Sequence, residues 1–71
     1  MIEYSKVKRG DIVRLTKPTP DAILKKGDLV RVVEVWTNGL RTEDQRGEPY
    51  EFVFNCGAAY LEATEWRSDF P

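Results

Sequence analysis

One phrase occurs twice in this chain. KRGDIVRL runs from Lys8 to Leu15, and KKGDLVRV from Lys25 to Val32, seventeen positions later. Each copy is a basic pair, a glycine, an aspartate and then a mostly aliphatic stretch. In the first copy Val13 and Leu15 fall on one face and Ile12, Arg14 and Thr16 on the other, the period-two pattern of a strand. The glycine before each aspartate tolerates the φ values that a sharp bend requires. The repeat therefore predicts two similar corners, each opening a strand, rather than a duplicated binding site.

Five strands follow from this start. The first spans about Asp11–Lys17 and is stopped by Lys17-Pro-Thr-Pro, since proline cannot donate to a ladder and restricts the residue before it. Residues 18–27 form a loop, in which Asp21 is placed to N-cap a single helical turn. The second strand, Asp28–Trp36, crowds both faces with Leu29, Val30, Val32, Val33 and Val35. It belongs in the middle of the sheet or contains a bulge. Asn38-Gly39 predicts a tight hairpin with positive φ values, leading into a third strand at Leu40–Glu43. Asp44 to Pro49 is a second turn, and Tyr50–Phe54 a fourth strand with Tyr50, Phe52 and Phe54 on one face. Asn55-Cys-Gly-Ala-Ala59 continues a strand poorly, so one helical or 3₁₀ turn is expected near Ala58–Tyr60. Leu61–Trp66 is the fifth strand, and residues 67–71 are expected to form a loose tail.

A chain of 71 residues is a single domain, and one of this size buries only about 60% of the surface its unfolded form exposes. Its single cysteine leaves no internal disulfide, so packing must hold the core. That fits a reducing compartment, and with no apolar run long enough for a leader or a bilayer span the expectation is a cytoplasmic protein. Net charge is −1, which argues against strong sequence-independent nucleic-acid binding. The charge is unevenly spread along the chain: eight basic against five acidic residues over 1–36, three against seven over 37–71.

The expected fold is all-β: a small five-stranded antiparallel barrel, closed or nearly so, with a short 3₁₀ or helical turn before the last strand. The order of parts over about residues 8–66 resembles the SH3-like barrels, including the Tudor and KOW-type branches. A basic-Gly-Asp-aliphatic-Val segment opens the first strand, a long loop leads to a second basic-Gly element, and a hairpin and a short turn precede the last strand.

Nothing in the sequence assembles a catalytic or metal centre. There is no histidine, the commonest general base. Cys56 lacks an activating partner and reads as small filler at a turn. The carboxylates Glu43, Asp44 and Glu48 stand on a solvated turn without converging partners and do not match a calcium loop. No glycine-rich phosphate loop is present. The expectation is a protein that is not an enzyme and carries no cofactor or metal.

Binding remains. Trp and Tyr anchor interfaces because they bury large area at low entropic cost while keeping a polar handle. Trp36, beside the hairpin turn, and Tyr60, at the late turn, resemble by position the Trp and Tyr that line the SH3 ligand groove. The Ala-Leu-Tyr-Asp-Tyr segment of peptide-binding SH3 domains is absent, as is the proline before the late-turn tyrosine, so PxxP ligands are not expected. The leading expectation is a protein-interaction module, of the size of small phage or mobile-element regulators, docking on a larger cytoplasmic partner. Trp36 and Tyr60 would anchor it, with Glu43, Asp44 and Glu48 supplying complementary charge. The alternative is a KOW-like nucleic-acid accessory of transcription or translation, using Lys8, Arg9, Lys25 and Lys26 as one basic rim if the two corners meet.

Overall fold

The computed structural model describes residues 2–53 and 57–71. It is all-β: β1 (Asp11–Leu15), β2 (Leu29–Trp36), β3 (Gly39–Glu43), β4 (Pro49–Val53) and β5 (Leu61–Arg67), with 3₁₀ turns at Tyr4–Lys6 and Ala58–Tyr60. Every pairing is antiparallel, and the strand order is β4-β3-β2-β1-β5. Such a sheet is consistent with a small β-barrel fold, but among the described residues it is not closed: β4 and β5 are its two edges. The fully closed form of the expected barrel is therefore not reached. Ile2 and Val7, from the N-terminal segment, join the core cluster with Val13, Leu15, Leu24, Val30, Val32, Leu40, Phe52 and Leu61, and Ile2 N–H donates to Ala58 O at 3.4 Å.

The two copies of the repeat build the same turn. In each, the aspartate N–H donates to the lysine carbonyl, Asp11 to Lys8 and Asp28 to Lys25, both at 3.0 Å. The aspartate carboxylate then accepts the lysine N–H, at 2.9 Å for Lys8 and 2.8 Å for Lys25. Gly10 and Gly27 sit between them at φ +96° and +91°, the left-handed geometry that favours glycine. Each glycine N–H is fastened to the neighbouring copy's strand, Gly10 to Val32 O and Gly27 to Leu15 O, both at 2.8 Å. Since β1 and β2 run antiparallel, with Val13 opposite Val30, the two turns cap opposite ends of one ladder.

β2 is both central and bulged. Val32 faces Thr42 and Glu34 faces Arg41, leaving Val33 as the extra residue, which accounts for aliphatic side chains on both faces. The hairpin differs from expectation. Its loop is Thr37–Asn38, with Trp36 opposite Gly39, and neither Asn38 nor Gly39 has a positive φ. Gly39 is needed for close approach instead: a Cβ there would collide with the Phe52 carbonyl oxygen and press on Trp36 Cε3 at 3.3 Å.

Other boundaries shift by a residue or two, as proline and turn chemistry dictate. β4 begins at Pro49, where it meets Glu43; Phe54 and Cys56 lie outside the described residues. No helical turn forms after Asp21, because Ala22 takes φ +61° and Asp21 Oδ1 accepts the Ile23 N–H at 3.1 Å. Where a loose tail is expected, β5 continues through Arg67, Ser68 N–H donates to Gly10 O at 2.7 Å, and Arg31 reaches Ser68 O at 3.1 Å. Sheet order also mixes the two charge halves. Arg14 meets Glu62 at 3.1 Å, Arg31 meets Glu43 at 3.5 Å, and Arg67 meets Asp11 at 3.0 Å.

Candidate protein-docking site

The loop between β1 and β2 lies beside the 3₁₀ turn Ala58–Tyr60. Thr16 fixes it there: its N–H donates to Tyr60 O at 2.8 Å and its hydroxyl to Ala59 O at 2.9 Å. Thr19 closes the loop on itself through Leu24, whose N–H donates to the Thr19 hydroxyl at 3.1 Å, and Leu24 is thereby held in the core. Two tyrosines stand at this place. Tyr60 comes from the 3₁₀ turn and Tyr50 from β4; both are partly buried and packed against the core cluster. The Tyr50 ring lies 4.9 Å from that of Phe52.

Each tyrosine is met by a residue of the loop. Lys17 Nζ stands 4.6 Å from the Tyr60 ring centroid, a cation–π distance. The Tyr50 hydroxyl donates to Asp21 Oδ2 at 2.9 Å, while the Thr19 hydroxyl donates to Asp21 Oδ1 at 2.7 Å. The Thr19 hydroxyl, followed by the Ile23 N–H, holds the Asp21 carboxyl below the usual carboxylate range. Burial, aided by the Asp21 charge, raises the Tyr50 phenol above its ordinary value. The result is two aromatic rings packed against the core, one met by a cation and the other by a carboxylate. Among the described residues, Lys17 has no carboxylate within ion-pair distance.

Asp21 makes the loop acid-sensitive, with a definite sign. A carboxyl whose folded pKa is depressed contributes stability above its unfolded value, near 3.8, and loses it as pH falls through the folded value. Asp44 is depressed for a similar reason, led by the Glu48 N–H, and its contribution is lost over the same interval. Melting temperature is therefore expected to hold between about pH 7 and 5 and fall below about pH 4. Asp21→Asn should flatten part of that fall in a thermal melt followed by circular dichroism; an unchanged acid limb would remove Asp21 from this role.

The sequence-predicted residues are not gathered in one place. Trp36 is half-buried on the other face of the β2–β3–β4 layer from Tyr50. Its Nε1 donates to Glu34 Oε2 at 2.9 Å, and Arg41, 6.0 Å from its ring, bridges Glu34 and Glu51 at 3.3 and 3.2 Å. Trp36 and Tyr60 therefore do not line one groove. Glu43 is engaged by Arg31. Asp44 accepts the Arg46 and Glu48 N–H groups at 2.8 and 3.0 Å, so its carboxylate holds the turn, and only Glu48 of the three is fully at the surface. Lys8, Arg9, Lys25 and Lys26 are exposed, but the turns that carry them cap opposite ends of the β1–β2 ladder, roughly 15 Å apart at about 3.3 Å per residue. They make two small basic points rather than one rim.

Sequence reasoning assigned Tyr50 to packing and missed Lys17 and Asp21. Tyr50 and Asp21 are 29 residues apart, and no local spacing signals their contact. Among the described residues, no three metal-ligating side chains converge, and no helix is long and apolar enough to cross a membrane. No protein-family model matches the chain, and neither a curated protein nor a solved structure matches it.

Proposed function

We propose that this chain is a non-enzymatic protein-interaction module on an SH3-like barrel plan, docking on a larger cytoplasmic partner through Tyr50, Tyr60 and the loop that separates β1 from β2. The observation that carries the reading is the pair of tyrosines, rooted in the core and bracketed by Lys17 and Asp21. Rings held this way present apolar area at little further entropic cost. Lys17 is free to meet a carboxylate of the partner, whereas Asp21 is already spent on Thr19, Ile23 and Tyr50. The preferred ligand is thus an apolar segment with an acidic neighbour. Glu48, exposed in the turn just before β4, adds charge at the rim of the site, where it affects encounter rate more than affinity.

Immobilised protein is expected to retain a discrete partner from lysate. Tyr60→Ala should weaken that retention by roughly 30-fold, the cost of truncating an interface anchor by about 2 kcal/mol, with the sheet signature in circular dichroism unchanged. Trp36→Ala, on the other face, should retain the partner. Full retention by folded Tyr60→Ala would place docking elsewhere.

A further inference from the structure

The outer side of the edge strand β5 is a second candidate surface, independent of the tyrosine site. A groove of about 460 Å³ lies between the N-terminal segment and β5. Its floor includes Ile2, Val7 and Val13, all members of the core cluster. It opens where β1 and β5 lose register: Val13 faces Ala63, yet Asp11 faces Arg67. Two steps along β1 thus match four along β5. Bulges of this kind cluster beside binding sites and re-aim side chains. The Thr64 hydroxyl fills the gap in the ladder, donating to Ile12 O at 2.6 Å and accepting the Trp66 N–H at 3.2 Å.

Two further features identify what the groove fits. The first is backbone. β5 is an edge strand, and Thr16 N–H bonds Tyr60 O. The alternation of an antiparallel ladder then turns the Ala63 N–H and C=O away from β1, toward the free edge. Ala63 itself is exposed although it stands opposite Val13. The second is charge. Glu3 is paired with Lys6 at 3.3 Å and Asp11 with Arg67 at 3.0 Å. Glu65, also on the rim, has no cation within ion-pair distance among the described residues. The rim's uncompensated charge is therefore negative.

We propose that this groove binds an extended protein segment of alternating aliphatic and basic residues, which adds to β5 as a further strand. Its aliphatic side chain covers the Ile2–Val7–Val13 floor and its cation meets Glu65. Main-chain pairing at Ala63 supplies the register, and alternate side chains supply the selectivity, as in other strand additions.

The test is an amide-resolved NMR titration of ¹⁵N-labelled protein with the probe peptide acetyl-Lys-Val-Lys-Val-Lys-amide, against acetyl-Glu-Val-Glu-Val-Glu-amide. The basic probe should move the amides of Val7 and Ala63–Arg67 and slow exchange of the Ala63 N–H, while the acidic probe should not. Glu65→Lys should weaken the basic probe by about fivefold, the scale of one exposed ion pair. Ala63→Pro, which deletes an edge donor that β1 does not use, should abolish binding with the remaining spectrum dispersed. Shifts confined to Lys17, Asp21, Tyr50 and Tyr60 would overturn this proposal while leaving the tyrosine site intact. No shift at millimolar probe, or equal affinity of wild type and Glu65→Lys, would overturn it as well.

Discussion

Leu61→Ala is expected to remove roughly half of the folding stability of this chain. Leu61 is fully buried, begins β5 opposite Leu15, and has its N–H fixed to Ala58 O. It joins β5 to the core where the sheet has an open edge, so neighbours on that side have little means to collapse into the space. Leu→Ala at such sites costs about 2–5 kcal/mol. A domain of this length is stable by roughly 4–10 kcal/mol at about 0.05–0.15 kcal/mol per residue, and the substitution removes much of that. At about 4–8 °C per kcal/mol for a small domain, the melting temperature should fall by roughly 10–40 °C. A loss below about 1 kcal/mol in urea denaturation would show that β5 is not docked as described.

Gly39→Ala should be the next most damaging change, for a different reason. Its backbone is ordinary for an L residue, so conformational strain is not the cause. The added methyl meets the Phe52 carbonyl oxygen, part of the adjacent strand, which can yield only if β3 and β4 separate. Overpacking of this kind costs about 1–3 kcal/mol. Separation also disturbs Trp36, whose ring edge covers the same position, so its fluorescence should shift to the red along with the loss of stability. Gly47→Ala is the contrast: nothing lies within 4 Å of a Cβ there, but φ is +85°, so its cost is backbone strain of about 1 kcal/mol with no change at Trp36. Gly39→Ala within 0.5 kcal/mol of wild type would refute the close approach.

These two residues also show what the sequence discloses and what it conceals. The repeated KRGD and KKGD turns, the alternation of β1 and the crowded β2 are local patterns, and each produced the element it implied. Gly39 was legible as a hairpin glycine, but its reason was not, because the carbonyl that forbids a side chain comes from another strand. The same limit applies at the site. Tyr60 stood out from its place in the late turn. Tyr50 did not, because its partner Asp21 is brought across from the first loop, 29 residues away. Trp36 is as aromatic as Tyr60, yet the bulge at Val33 and the pairing with Gly39 set it on the opposite face. The uneven charge along the chain does not carry into space: the basic half and acidic half interleave as strands, so Arg14, Arg31 and Arg67 spend their charge on carboxylates from the other half.

The most direct measurement is an amide chemical-shift footprint of the labelled protein with its captured partner. The account predicts that perturbation concentrates on Thr16–Asp21, Tyr50 and Tyr60, with Lys8, Arg9 and Trp36 unchanged. A footprint centred on the Trp36–Arg41 face or on the Lys8–Gly10 turn, leaving both tyrosines undisturbed, would contradict it.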